Sequence, residues 1–137
     1  MHVIAVDPGT AKCGIAVLTM NSEVVERKVV DRPEALTALE RFARMYRPTV
    51  LVLGDRTGSK SFRREIERSG LDRWVESVHV VDEHMSSLEA RERYFRDHPP
   101  TGIRRFLPRT MQTPPVLFDD YVAVVLAERF LKERIGH

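Results

Sequence analysis

The sequence predicts an α/β protein with a five-stranded mixed β-sheet flanked by helices, and three observations predict it. Two apolar runs near the start, Val3–Val6 and Gly14–Leu18, are separated by a Pro-Gly turn, as in an antiparallel hairpin. Two later runs each follow a helical stretch: Thr49–Leu53 is wholly apolar, the pattern of a strand covered on both faces, and Ser77–Val81 is another apolar strand. Near the end, Tyr121–Ala127 is almost wholly apolar inside a helical stretch, which must therefore lie buried against the sheet.

The elements follow in order. After the hairpin, Asn21-Ser22 marks a turn and Glu23–Val30 reads as a third strand. Its Glu26-Arg27-Lys28 centre suits a sheet edge. Pro33 stands where a first helical residue should, and a helix runs to about Tyr46 with Leu36, Leu39, Ala43 and Tyr46 on its apolar side; Pro48 closes it. The stretch from Gly54 to Lys60 is rich in turn residues and leads to a helix over Ser61–Arg68 that Gly70 stops. Leu71–Glu76 is a connector in which Trp74 is expected to pack. Ser86-Ser87-Leu88-Glu89 is a capping-box pattern that opens a helix to about Phe95. From Arg96 to Pro115 runs a long, proline-rich, arginine-rich loop, and Asp119–Arg134 forms the last helix.

At 137 residues, with 42% hydrophobic and 31% charged residues, the chain suits one domain over residues 1–137 rather than a disordered segment. A net charge of +2 permits nucleic-acid binding without announcing it. The single cysteine, Cys13, excludes an internal disulfide and a cysteine-clustered zinc site. No apolar run reaches membrane-spanning length and no signal-peptide pattern opens the chain, so a cytoplasmic protein is expected.

Right-handed crossovers would lay the strands at Thr49 and Ser77 parallel to the first. Asp7, Asp55 and Asp82-Glu83 would then leave the sheet at one carboxyl edge, where open α/β sheets bind ligands. The last helix begins with Asp119-Asp120 and can bring a further acid there. Asp7 alone would also serve as the first residue of a Pro-Gly turn, and Asp119 as a helix cap. Converging carboxylates repel unless cations lie between them, and oxygen donors without His or Cys favour Mg²⁺ or Mn²⁺.

Val-Asp-Pro-Gly-Thr at 6–10 with Gly14, Val-Asp-Glu-His-Met-Ser-Ser at 81–87 and Asp-Tyr-Val-Ala-Val at 120–124 resemble the three motifs of the YqgF/RuvX family, within the RuvC-like branch of the RNase H-like superfamily. The resemblance spans nearly the whole chain. It implies an RNase H-like fold, an Mg²⁺- or Mn²⁺-dependent nuclease, and Asp7, Glu83 and Asp120 as its metal-binding catalytic acids. Members are implicated in 5′-end maturation of 16S ribosomal RNA, and some have been considered as Holliday-junction resolvases. The chain departs from the family at His84, at Ser86-Ser87, at Lys12 one place late, and at Gly54-Asp55-Arg56, which makes Asp55 a spare candidate acid.

Lys12, Arg104, Arg105 and Arg109 are the candidate nucleic-acid contacts, with Phe106 placed either to stack on a base or to pin the loop. Lys60, Arg63 and Arg64 flank the same edge, although Arg63 and Arg64 would equally form a solvated face with Glu65 and Glu67. The expected substrate is structured or single-stranded nucleic acid, RNA ahead of DNA. A resolvase would need a homodimer for two cuts, whereas a maturation nuclease would not. A non-catalytic ribosome-assembly module of the same fold would bind RNA without metal-dependent cutting. An actin-like nucleotide-binding domain, which also uses an Asp-x-Gly-Thr hairpin, would need a second domain.

Overall fold

The computed structural model describes residues 2–48, 50–55, 59–82, 86–98 and 119–135. Five strands, β1 (His2–Pro8), β2 (Lys12–Thr19), β3 (Val24–Asp31), β4 (Val50–Gly54) and β5 (Ser77–Val81), form one sheet in the order β3-β2-β1-β4-β5. β1, β2 and β3 pair antiparallel, whereas β4 is parallel to β1 and β5 to β4. This is the mixed sheet expected, with β1 at its centre and the polar β3 at an edge.

Strand alternation divides the interior into two cores. Ile4 and Val6 of β1, Ile15 and Val17 of β2, and Leu51 and Leu53 of β4 face α1 (Ala35–Tyr46) and α2 (Ser59–Ser69). Val3, Ala5, Ala16, Leu18, Val50 and Val52 face α3 (Ser86–Asp97) and α4 (Asp119–Ile135). α4 packs chiefly on β2 and β1. Tyr121 through Ala127 are all buried, because α3 covers the side of α4 that the sheet does not, through Ala90, Tyr94 and Phe95. Nη1 of Arg93 of α3 donates to both carboxylate oxygens of Glu128 of α4 at 2.7 Å, a charged link across the helix pair.

Local signals account for the boundaries. Pro33 lies in a 3₁₀ turn (Arg32–Glu34), which suits its fixed φ and missing N–H, and α1 proper begins at Ala35. Arg47 closes α1 in the left-handed region at φ 45°, its N–H donating to the Ala43 carbonyl at 2.9 Å. α2 is longer than expected at both ends and stops before Gly70, whose φ of 75° favours glycine. The expectation that Trp74 packs inside is corrected: it is 41% exposed, with the Arg44 guanidinium 5.1 Å above its ring. Leu71, in the same 3₁₀ turn (Leu71–Trp74), takes the core position instead.

The β1–β2 turn is tight. A Cβ at Gly9 would lie 2.3 Å from the Lys12 carbonyl oxygen, a backbone atom that cannot step aside without moving the hairpin. Gly9→Ala is therefore expected to destabilise the fold by about 1–3 kcal/mol, read as a lowered midpoint in urea at unchanged slope. An unchanged midpoint would show that the hairpin relaxes freely. Cys13 is fully buried beside this turn, as expected of a structural thiol.

Candidate functional site

Because β1, β4 and β5 run parallel, Asp7, Asp55 and Asp82 all lie at the carboxyl ends of their strands, on one edge of the sheet. Alternation then separates them. Asp7 continues the Val3–Ala5 side and so belongs to the face that α4 covers. Asp55 follows Leu51 and Leu53, so the same rule assigns it to the opposite face. Both Asp55 and Asp82 are exposed, whereas Asp7 is 2% exposed with its Oδ1 shut off from solvent. The strand neighbours of Asp7 on its own face are glycines: Gly14 is its partner on β2, and Gly54 follows Leu53, the partner of Val6, on β4. A side chain flanked by two glycines keeps lateral room for a ligand.

Asp120 is the second buried acid, 7% exposed in the first turn of α4. Among the described residues, Asp7 and Asp120 are the buried charged side chains. Carboxylates are almost never buried unless they are paired, hydrogen-bonded or ligating. Oδ2 of Asp120 accepts a hydrogen bond from Arg27 Nη1 at 3.2 Å, and Oδ1 accepts one from the Tyr121 backbone N–H at 3.0 Å. Arg27 stands opposite Ala16 on β3 and therefore on the α4 face. Its Nη2 donates to the Tyr121 hydroxyl at 2.7 Å, and that hydroxyl donates to Asp97 Oδ2 at 3.1 Å.

Burial raises the Asp120 carboxyl above the ordinary range, partly offset by the charge of Arg27. With its folded pKa above its unfolded one, the group takes up a proton on folding between the two values. Stability is therefore lost as pH rises through that window, and the ionised form carries the penalty above it. Asp120→Asn is expected to melt at a higher temperature than the wild type at pH 7 without metal. The gap should close as pH falls to about 4. Melting curves at the two pH values check this, and a less stable variant at pH 7 would contradict it.

The remaining candidates divide. Glu83, the third of the expected acids, lies outside the described residues, as do His84, Arg104, Arg105, Phe106 and Arg109. Among the described residues no three acids, histidines or cysteines gather at one point. Lys12 is exposed and pairs with Asp31, its cross-strand neighbour on β3. That contact raises its pKa, the hydrogen bond acting more than the charge. Arg63 pairs with Glu67 one turn along at 3.7 Å, and Glu65 pairs with Arg32, so α2 shows the solvated face that was the plainer expectation.

Three residues were not singled out in the sequence. Arg27 and Tyr121 hold Asp120, as described. Arg129 donates to the Asp82 carbonyl at 2.8 Å and to Glu89 Oε1 at 2.7 Å, tying α4 to both sides of residues 83–85. The sequence signal for Arg129 is a charged pair, Glu128-Arg129, that interrupts the apolar stretch Tyr121–Leu131.

The donors in hand are carboxylate oxygens on one face, a set that fits a hard divalent cation such as Mg²⁺ or Mn²⁺ and not zinc. No protein-family model matches the chain, and no curated protein matches it in sequence. Its structure is similar to that of RuvC from Thermus thermophilus in complex with Holliday junction substrate, with a TM-score of 0.60 at 14% identity over 99% of this chain and 96% of that one. It is also similar to the fowlpox virus Holliday junction resolvase, with a TM-score of 0.65 at 13% identity over 98% of this chain and 100% of that one. The chain thus has the RuvC-like form of the RNase H fold.

Proposed function

We propose that this protein is a divalent-metal-dependent endonuclease that hydrolyses phosphodiester bonds in structured nucleic acid. The observation that carries the proposal is the burial of Asp7 and Asp120, two of the three acids picked from sequence, on one face of a RuvC-like sheet. Glu83 is assigned as the third acid on the motif at 81–87.

In this reading Asp7, from the central strand, together with Glu83 and Asp120, would hold the metal. Bound there, the metal would supply activation of a water and neutralisation of the charge that develops on the departing 3′ oxygen. The protein's own part is to fix the acids before substrate arrives. β1 holds the backbone of Asp7 through its pairing with Gly14 of β2 and the Val6–Leu53 pair just before it, and α4 carries Asp120 into the low-dielectric face. Lys12 and the arginines at 104, 105 and 109 are assigned to backbone phosphates, which makes binding fall steeply with salt.

The YqgF/RuvX resemblance directs the substrate reading to the 5′ end of a 16S ribosomal RNA precursor. The resolvase structures favour a second reading, a four-way DNA junction as substrate; two cuts there would call for a homodimer. Cleavage of both substrates by wild type and Glu83→Gln, in Mg²⁺ and in EDTA, tests the proposal. Metal-dependent cutting that the variant loses is the expected result, and the preferred substrate chooses between the readings. Tight, salt-sensitive RNA binding with no cutting would replace the proposal with a non-catalytic assembly module.

A further inference from the structure

The guanidinium of Arg27 is held from three sides. Nη1 donates to Asp120, Nη2 donates to the Tyr121 hydroxyl, and the Cζ lies 4.3 Å from the Tyr121 ring centroid. The tyrosine is itself fixed, buried at 3% exposure and bonded through its hydroxyl to Asp97 at the end of α3. An ordinary edge-strand arginine is free to swing through solvent. Here a positive charge stays beside one of the buried acids.

We infer that Arg27 is the resident counter-ion of Asp120, a positioning residue that holds this carboxylate when no metal is bound and limits how tightly a divalent cation binds there. The inference rests on the reading of Asp120 as a metal ligand. A buried carboxylate without an opposing charge is costly, so the metal-free protein needs a cation at this point. The same cation opposes the second one. A divalent ion that joins Asp120 meets a fixed like charge a few ångströms away, at an effective dielectric well below that of water. Tyr121 makes the opposition persistent, since its ring and hydroxyl keep the guanidinium from retreating. Arg27 also ties the first turn of α4 to β3.

The two roles predict opposite signs. If Arg27 only fastened α4, its removal would loosen Asp120 and weaken metal binding. As a counter-ion, its removal strengthens binding. Titration calorimetry with Mn²⁺ separates them, using wild type, Arg27→Gln, Tyr121→Phe and Asp120→Asn, each first melted in EDTA to check its fold. Arg27→Gln keeps a hydrogen-bond donor but not the charge, and should bind Mn²⁺ about tenfold tighter than wild type. Tyr121→Phe keeps the ring and frees one side of the guanidinium, and should bind about two- to threefold tighter. Asp120→Asn should lose most of the binding.

Wild-type affinity in Asp120→Asn would overturn the ligand assignment and this inference with it. Weak binding in Asp120→Asn with unchanged or weaker binding in Arg27→Gln and Tyr121→Phe would leave the ligand assignment standing and overturn the counter-ion. If Arg27→Gln does not melt cooperatively, Tyr121→Phe decides alone.

Discussion

Asp7→Asn is expected to slow cleavage by at least about 10³-fold, a loss near 4 kcal/mol in transition-state stabilisation, while the protein stays folded. The substitution is nearly isosteric, so β1 keeps its pairing with β2 and β4 and its place at the centre of the sheet. What changes is charge. A neutral amide oxygen is a poor ligand for a hard cation, so the substitution weakens the hold on the ion without moving the strand. The position magnifies this, because Asp7 is 2% exposed between strands that cannot shift to offer another oxygen. Single-turnover cleavage of the preferred substrate, beside a melting curve of the same preparation, is the measurement. A rate within threefold of wild type at an unchanged melting temperature would remove Asp7 from the chemistry and attribute cutting to another source.

The legible part of this site is the part that depends on chain order. An acid that closes an apolar strand is visible in sequence, and helix–strand alternation puts such strands parallel with their ends together. Asp7, Asp55 and Asp82-Glu83 are therefore all candidates, and Asp7, Asp55 and Asp82 do share an edge. Choosing among them requires the face each occupies. That depends on register, which sets Asp7 with Val3 and Ala5 and Asp55 with Leu51 and Leu53. Asp120 is preferred to Asp119 on the motif at 120–124, and it is buried in the first turn of the last helix.

Arg27 shows what sequence cannot carry. In a Glu-Arg-Lys run on an edge strand, each charge reads as solvated. Register alone reveals that Arg27 stands opposite Ala16 and reaches Tyr121 and Asp120, more than ninety positions away. Glu26, one place earlier, faces the other way and accepts the Tyr46 hydroxyl. Neighbouring residues of one polar run thus serve the two opposite layers. Trp74 fails for a related reason: an indole in a short connector packs only if the connector turns it inward, and here Leu71 occupies that place.

Leu126→Ala is expected to cost about 3 kcal/mol, lowering the melting temperature by about 10 °C for a chain of this size. Leu126 is fully buried in the middle of α4, within the core shared by β1, β2, β4 and α3. Sheet and helix close on it from both sides, so the cavity left by truncation has little means of collapse. The same helix carries Asp120 in its first turn and Arg129 beyond its middle, so its seating bears on the site as well as on stability. A cation that binds only the folded protein adds about 2.7 kcal/mol at a hundred times its dissociation constant. Mn²⁺ at that excess should therefore return most of the loss in Leu126→Ala, provided Asp120 still reaches its place. In Leu126→Ala combined with Asp120→Asn the rescue should vanish, whereas equal rescue in both would mean that Mn²⁺ stabilises the fold from somewhere other than α4.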